Sequence, residues 1–156
     1  MKVLSEPPFP AVIPDRPASN ELILPQGILG FEDYHRAELL YSEEHLPFLW
    51  MRLHGPDVLH FVVMEPANII PGYEPEIFDE DAAQLDLKDS TDAMILNIVT
   101  LNHNQPSGAT INLIGPIIVN RRTRIARQRV ISNHGRYSSH HPLVDNSRPA
   151  VAGRAN

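Results

Sequence analysis

Short apolar runs broken by proline and glycine recur along the middle of this chain. Ala37-Glu38-Leu39-Leu40-Tyr41 and Phe48-Leu49-Trp50-Met51-Arg52-Leu53 are two of them, bounded by Pro47 and by Gly55-Pro56. His60 to Met64 is a third, closed by Pro66. Asp92 to Leu101 is longer, apolar and β-branched. Ala109-Thr110-Ile111-Asn112-Leu113 alternates, which turns Thr110 and Asn112 outward. Pro116 to Asn120 and Ile125 to Ile131 flank Arg121-Arg122-Thr123-Arg124 as the arms of a hairpin. Only Asp79-Glu80-Asp81-Ala82-Ala83-Gln84-Leu85 reads as a helix, with acids in the first turn where the helix dipole favours them. About seven short strands with this punctuation predict an all-β fold, a single antiparallel barrel-like or sandwich domain with one short helix. Trp50, Phe48 and Phe61 are read as core.

One punctuated stretch is more specified than the rest: Pro25-Gln26-Gly27-Ile28-Leu29-Gly30-Phe31-Glu32. Proline fixes φ and glycine admits φ > 0, so the spacing describes a tight loop. The loop either presents Phe31 and Glu32 to a partner or is a turn between two strands. It is not a phosphate cradle, since no third glycine and no Gly-Lys-Ser/Thr follow.

The ends have a different texture. Residues 1–20 carry Pro7, Pro8, Pro10, Pro14 and Pro17, which exclude a helix or a central strand, and read as a leader rather than a domain. Residues 144–156 read as a loose tail. The β domain is placed at 21–143. A length of 156 residues and 42% apolar content suit one domain with a real core. No apolar run is long enough to span a membrane as a helix, and the start lacks the apolar stretch of a secretory signal. The absence of cysteine excludes disulfides, thiol catalysis and Cys-type zinc sites, and agrees with a cytoplasmic location.

Charge is unevenly spread. The net charge is −6, yet residues 32–92 hold fifteen acids against Arg36, Arg52 and Lys88. Residues 121–136 hold six arginines and no acid. An acidic body with a basic hairpin suggests two separate partner-facing surfaces. The acidic segment Tyr73-Glu74-Pro75-Glu76-Ile77-Phe78-Asp79-Glu80-Asp81 is the stronger candidate, because aromatics beside carboxylates offer anchors plus selection for a basic partner. The residues proposed to meet a partner are Phe31, Glu32, Tyr73, Glu74, Glu76, Asp79 and Glu80. The hairpin is the rival candidate: its guanidiniums suit RNA phosphates, and Arg127 and Arg129 share one strand face. Only Tyr137 stands near it for base stacking, and an edge strand kept charged against aggregation has the same composition.

Catalytic patterns are weak. Eight histidines include no His-Glu-x-x-His and no helical i, i+4 pair, so no metal site and no cofactor are expected. Ser138 and Ser139 precede His140 without a Gly-x-Ser-x-Gly turn. Acids such as Glu74 and Glu76 could pair as catalytic carboxylates, but lie in a proline-rich segment where a raised pKa is not expected. The chain reads as an interaction protein, with a small enzyme as the lesser alternative.

Five stretches in order resemble one family. Pro25 to Glu32 resembles the Pro-x-Gly-Ile-x-Gly-Phe-Glu motif near the start of the FliW flagellar assembly factors of bacteria. Pro47-Phe48-Leu49-Trp50-Met51 is similar to their Pro-Phe-x-Trp-Leu strand. Phe61-Val62-Val63, Glu65-Pro66 and Ile70-Pro71-Gly72-Tyr73-Glu74 follow as they do there, as does Thr110-Ile111-Asn112-Leu113-Ile114-Gly115-Pro116-Ile117. Gln128, Val130 and Ile131, then His140-His141-Pro142-Leu143, match the way those chains end. The resemblance implies two partners: the basic translational regulator CsrA, whose repression of flagellin synthesis such proteins relieve, and flagellin itself. It implies no direct contact with nucleic acid or membrane.

Overall fold

The computed structural model describes residues 20–101 and 108–143. The leader, save Asn20, and the tail lie outside the described residues, as does His103. Nine strands and one helix run in the order β1 (Glu21–Ile23), β2 (Arg36–Leu40), β3 (Phe48–His54), β4 (Val58–Met64), α1 (Asp79–Gln84), β5 (Ala93–Thr100), β6 (Thr110–Ile111), β7 (Ile117–Asn120), β8 (Ala126–Gln128) and β9 (His141–Pro142) among the described residues. The fold is all-β with one short helix, as the pattern predicts. The apolar runs became β2 to β8 within a few residues. The two strands that the pattern does not show, β1 and β9, have three residues and two and lie outside the apolar runs.

All strand pairs are antiparallel, in the order β1-β2-β3-β4-β5-β6-β9, with β7 between β5 and β8. β5 is the branch point. Its second half, Asn97 to Val99, pairs with β4, while its first half, Ala93 to Leu96, pairs with β7. The sheet then curls back toward its start. The Ile23 N–H donates to the Arg124 carbonyl at 2.8 Å, a parallel bridge from β1 to the β7–β8 hairpin.

The curl encloses the main core. Leu22, Leu39, Met51, Leu53, Val63, Met94, Leu96, Val119 and Ala126 meet inside it. The outer surface is covered in two places. Ile77, Ala82, Leu85 and Leu87, on and around α1, pack over Ala93, Ile95 and Ile118. Ile70, Tyr73 and Tyr137 lie against Met64, Val99 and Ile111. β5 is thus buried on both faces along its first half, which is why its sequence is apolar without alternation. No helix among the described residues is long and apolar enough to cross a membrane.

Trp50 departs from the core expectation. β3 alternates, with Leu49, Met51 and Leu53 turned inward, so Trp50 falls on the outer face and is 37% exposed. Phe48 and Phe61 are half-buried against the outer and the main core respectively.

Candidate partner-binding surface

The glycine loop folds on itself rather than outward. Gly27 has φ +64°, and a Cβ there would lie 2.3 Å from the Phe31 carbonyl oxygen, so only glycine fits. Ile28 and Phe31 bridge across the turn, and Phe31 N–H donates to the Ile28 carbonyl at 2.8 Å. The Phe31 ring is thereby turned onto the core, edge-on to Phe61 at 5.3 Å and to Tyr34 at 6.0 Å. The Glu32 carboxylate accepts the Gly30 N–H at 3.1 Å within the same loop. Phe31 is thus half-buried, packed on Tyr34 and on Phe61 of β4, while Glu32 stays exposed on the loop's surface. The exposed tip is Leu29, whose N–H donates to Gln128 Oε1 at 2.9 Å.

The acidic segment divides. Tyr73 is turned inward: its hydroxyl donates to the Leu113 carbonyl at 2.8 Å and accepts from Asn97 Nδ2 at 3.2 Å. Its ring stands edge-on to Tyr137 at 4.9 Å. Burial pushes its hydroxyl pKa up to about 12, with the Asn97 hydrogen bond pulling the other way. Tyr73 is therefore half-buried, with its hydroxyl and ring engaged by its own chain. The backbone beyond it is stitched to residues 132–137. Glu74 N–H donates to the Tyr137 hydroxyl, Glu76 N–H to Asn133 Oδ1, and the Glu76 carbonyl accepts the Ser132 N–H at 2.7 Å.

That stitching holds the chain so that Glu74, Asp79 and Glu80 are exposed, with Glu76 half-buried. Phe78, just before α1, is 46% exposed. One large ring beside several carboxylates is what remains of the expected surface. Phe78 lies in the segment that the sequence marks, but is not among the residues singled out there. The signal for it was helix phase: Ile77, Ala82 and Leu85 take the buried stripe, and Phe78 falls outside it.

The arginine hairpin is not a separate basic face. Arg129 Nε donates to the buried Asp81 carboxylate at 2.9 Å. Arg122 lies 3.3 Å from Asp92 and 3.5 Å from Asp86. Arg121 lies 3.7 Å from Glu65. Arg127 donates to Gln26 and Gln84, both at 3.1 Å, and Arg124 to the Glu21 carbonyl at 3.3 Å. Burial, then the neighbouring Arg121, pull the Arg124 pKa down. Five of the six arginines thus tie the hairpin to acids, amides and backbone from the rest of the chain. An RNA phosphate would have to displace these contacts, which counts against the nucleic-acid reading.

Among the described residues, no three histidine or acidic side chains converge as metal ligands would. Ser139 Oγ and His140 Nδ1 are 2.9 Å apart, and His140 N–H donates to Ser138 Oγ, all on an exposed turn. Nothing in that geometry shields a reacting group from water.

A profile of the FliW protein family matches residues 15–143 of this chain. Over 132 residues the chain is 33% identical to the flagellar assembly factor FliW of Natranaerobius thermophilus, spanning 85% of this chain and 87% of that one. It is 37% identical over 131 residues to the FliW of Geotalea uraniireducens, spanning 83% and 78% respectively. A crystal structure of the flagellar assembly factor FliW is similar with a TM-score of 0.72 and 28% identity, covering 86% of this chain and 91% of that one.

Proposed function

Because this chain belongs to the FliW family of flagellar assembly factors, we propose that it works by partner switching between two proteins, CsrA and flagellin. In this reading it binds the basic regulator CsrA in the cytoplasm and so relieves repression of flagellin translation. Flagellin binds the same protein and competes. Whichever complex is favoured depletes the other by mass action, so the level of free flagellin sets how much CsrA is released.

The observation that supports CsrA as a partner is the surface around Phe78. An exposed aromatic ring flanked by Glu74, Asp79 and Glu80 suits a basic protein: the ring anchors and the carboxylates steer. Five of the six hairpin arginines are already engaged by the rest of the chain, so the acidic surface faces little competition from them. The proposed role is binding without catalysis, cofactor or metal.

A pull-down from a flagellated host lysate tests the pairing. The wild-type protein is expected to retain both CsrA and flagellin, and added flagellin to lower the CsrA recovered. Recovery of neither, with correctly folded bait, contradicts the proposal.

A further inference from the structure

The outer face of β2, β3 and β4 carries an apolar row that the described residues leave half covered. In register, Leu40 faces Trp50, Trp50 faces Val62, Val62 faces Val99 and Val99 faces Ile111. Ile70, Tyr73 and Tyr137 cover the Val99–Ile111 end. At the other end Trp50 is 37% exposed, with the His45 ring edge-on to it at 6.5 Å. The connection between β2 and β3 lies at that end too, and adds exposed Tyr41 and Leu46. The result is a partly apolar surface carrying Trp50, continuous with the covered core and bordered by exposed Glu43, Glu44 and His45 of the same connection.

We propose that residues 1–19 of this same chain are its occupant. Three observations carry the choice. The first is where that segment begins: the Leu39 N–H donates to the Asn20 carbonyl at 2.8 Å, and Asn20 Nδ2 donates to the Leu39 carbonyl at 3.4 Å. The chain therefore leaves the sheet at the Leu40 end of β2, beside the open half of the row. The second is reach. Leu40, Trp50 and Val62 sit on adjacent strands about 5 Å apart, a span that a few residues of chain cover. The third is chemistry. The segment holds five prolines together with Val3, Leu4, Phe9, Val12 and Ile13. Aromatic-lined surfaces take proline-rich segments well, because proline's fixed φ lowers the entropy lost on docking.

A tethered occupant acts at an effective concentration of the order of millimolar, so a weak contact is enough to hold it. This does not depend on CsrA or flagellin being the partners.

The chain has one tryptophan, Trp50, and no cysteine, which permits a direct test in the full chain. A nitroxide on Ser5→Cys quenches tryptophan only at short range. Docking predicts that the label cuts Trp50 emission roughly twofold or more, since a tether at millimolar effective concentration keeps the site mostly filled. The loss should be independent of protein concentration and should be relieved when Phe9→Ser and Val12→Ser are added to the labelled chain. Unchanged emission overturns the proposal. So does quenching that grows with protein concentration, which would assign the face to a second copy, or quenching that persists in the Phe9→Ser, Val12→Ser chain.

Discussion

Gly27 and Glu38 show how single residues set this structure. Gly27→Ala puts a Cβ against the Phe31 carbonyl in a left-handed backbone, so it is expected to cost about 1–3 kcal/mol in urea unfolding, or more if the loop cannot shift. An unchanged midpoint would mean that the loop is free to rearrange. Glu38 accepts from His54 at 2.8 Å and from Arg52 at 3.2 Å. The His54 hydrogen bond, with the Arg52 charge behind it, holds the Glu38 pKa below its ordinary 4.5 against the opposing effect of burial. A lowered folded-state pKa gives stability that is present above 4.5 and lost as pH falls through the folded value. Glu38→Gln should therefore lower Tm by about 1–3 °C near neutral pH, with the difference shrinking as pH falls below the ordinary 4.5 and the carboxylate protonates. A difference that persists in acid would show that shape rather than charge is at work. At this scale the sequence was partly readable. The Gly27 turn followed from spacing alone. Tyr73 and Phe31 did not, because an aromatic beside a carboxylate looks the same whether its partner is another protein or Tyr137 and Phe61 of its own chain.

Elements were read best where their ends are marked. β3 and β4 emerged as apolar runs bounded by proline and glycine, and α1 from its acidic first turn. The β7–β8 hairpin was located correctly, but its role was not. Charge counts report that six arginines stand in a row and say nothing of Asp81, Asp86 and Asp92 folded over them. That pairing sharpens the expectation for mutants. Glu74→Lys with Glu80→Lys should weaken CsrA binding several-fold, mainly through a slower on-rate that depends on salt, since steering follows charge. Arg127→Glu, which breaks contacts with two amides and no acid, should leave binding nearly unchanged. Arg129 is unsuited to the comparison, because a carboxylate there would face buried Asp81. Stopped-flow association at two salt concentrations ranks the variants, and the reverse ranking in folded proteins would move the interface to the hairpin.

At the scale of the whole molecule, a curled antiparallel sheet holds two unlike outer surfaces in place: acidic around Phe78, and apolar around Trp50. Neither depends on a bound metal in this account. Chelation should leave Tm unmoved, whereas a drop restored by one divalent ion would reveal a site that holds the native state. In the proposed function, this flagellar assembly factor grips a basic regulator through the carboxylates around Phe78. Calorimetric titration of RNA-free CsrA into the wild-type protein and into Phe78→Ala tests it most directly, at about 150 mM salt to screen nonspecific attraction. The account predicts a submicromolar Kd for the wild type and a loss of roughly tenfold or more, about 1.4 kcal/mol, on removing the ring. No heat from the wild type at roughly tens of micromolar, or equal affinity for both proteins, would contradict it.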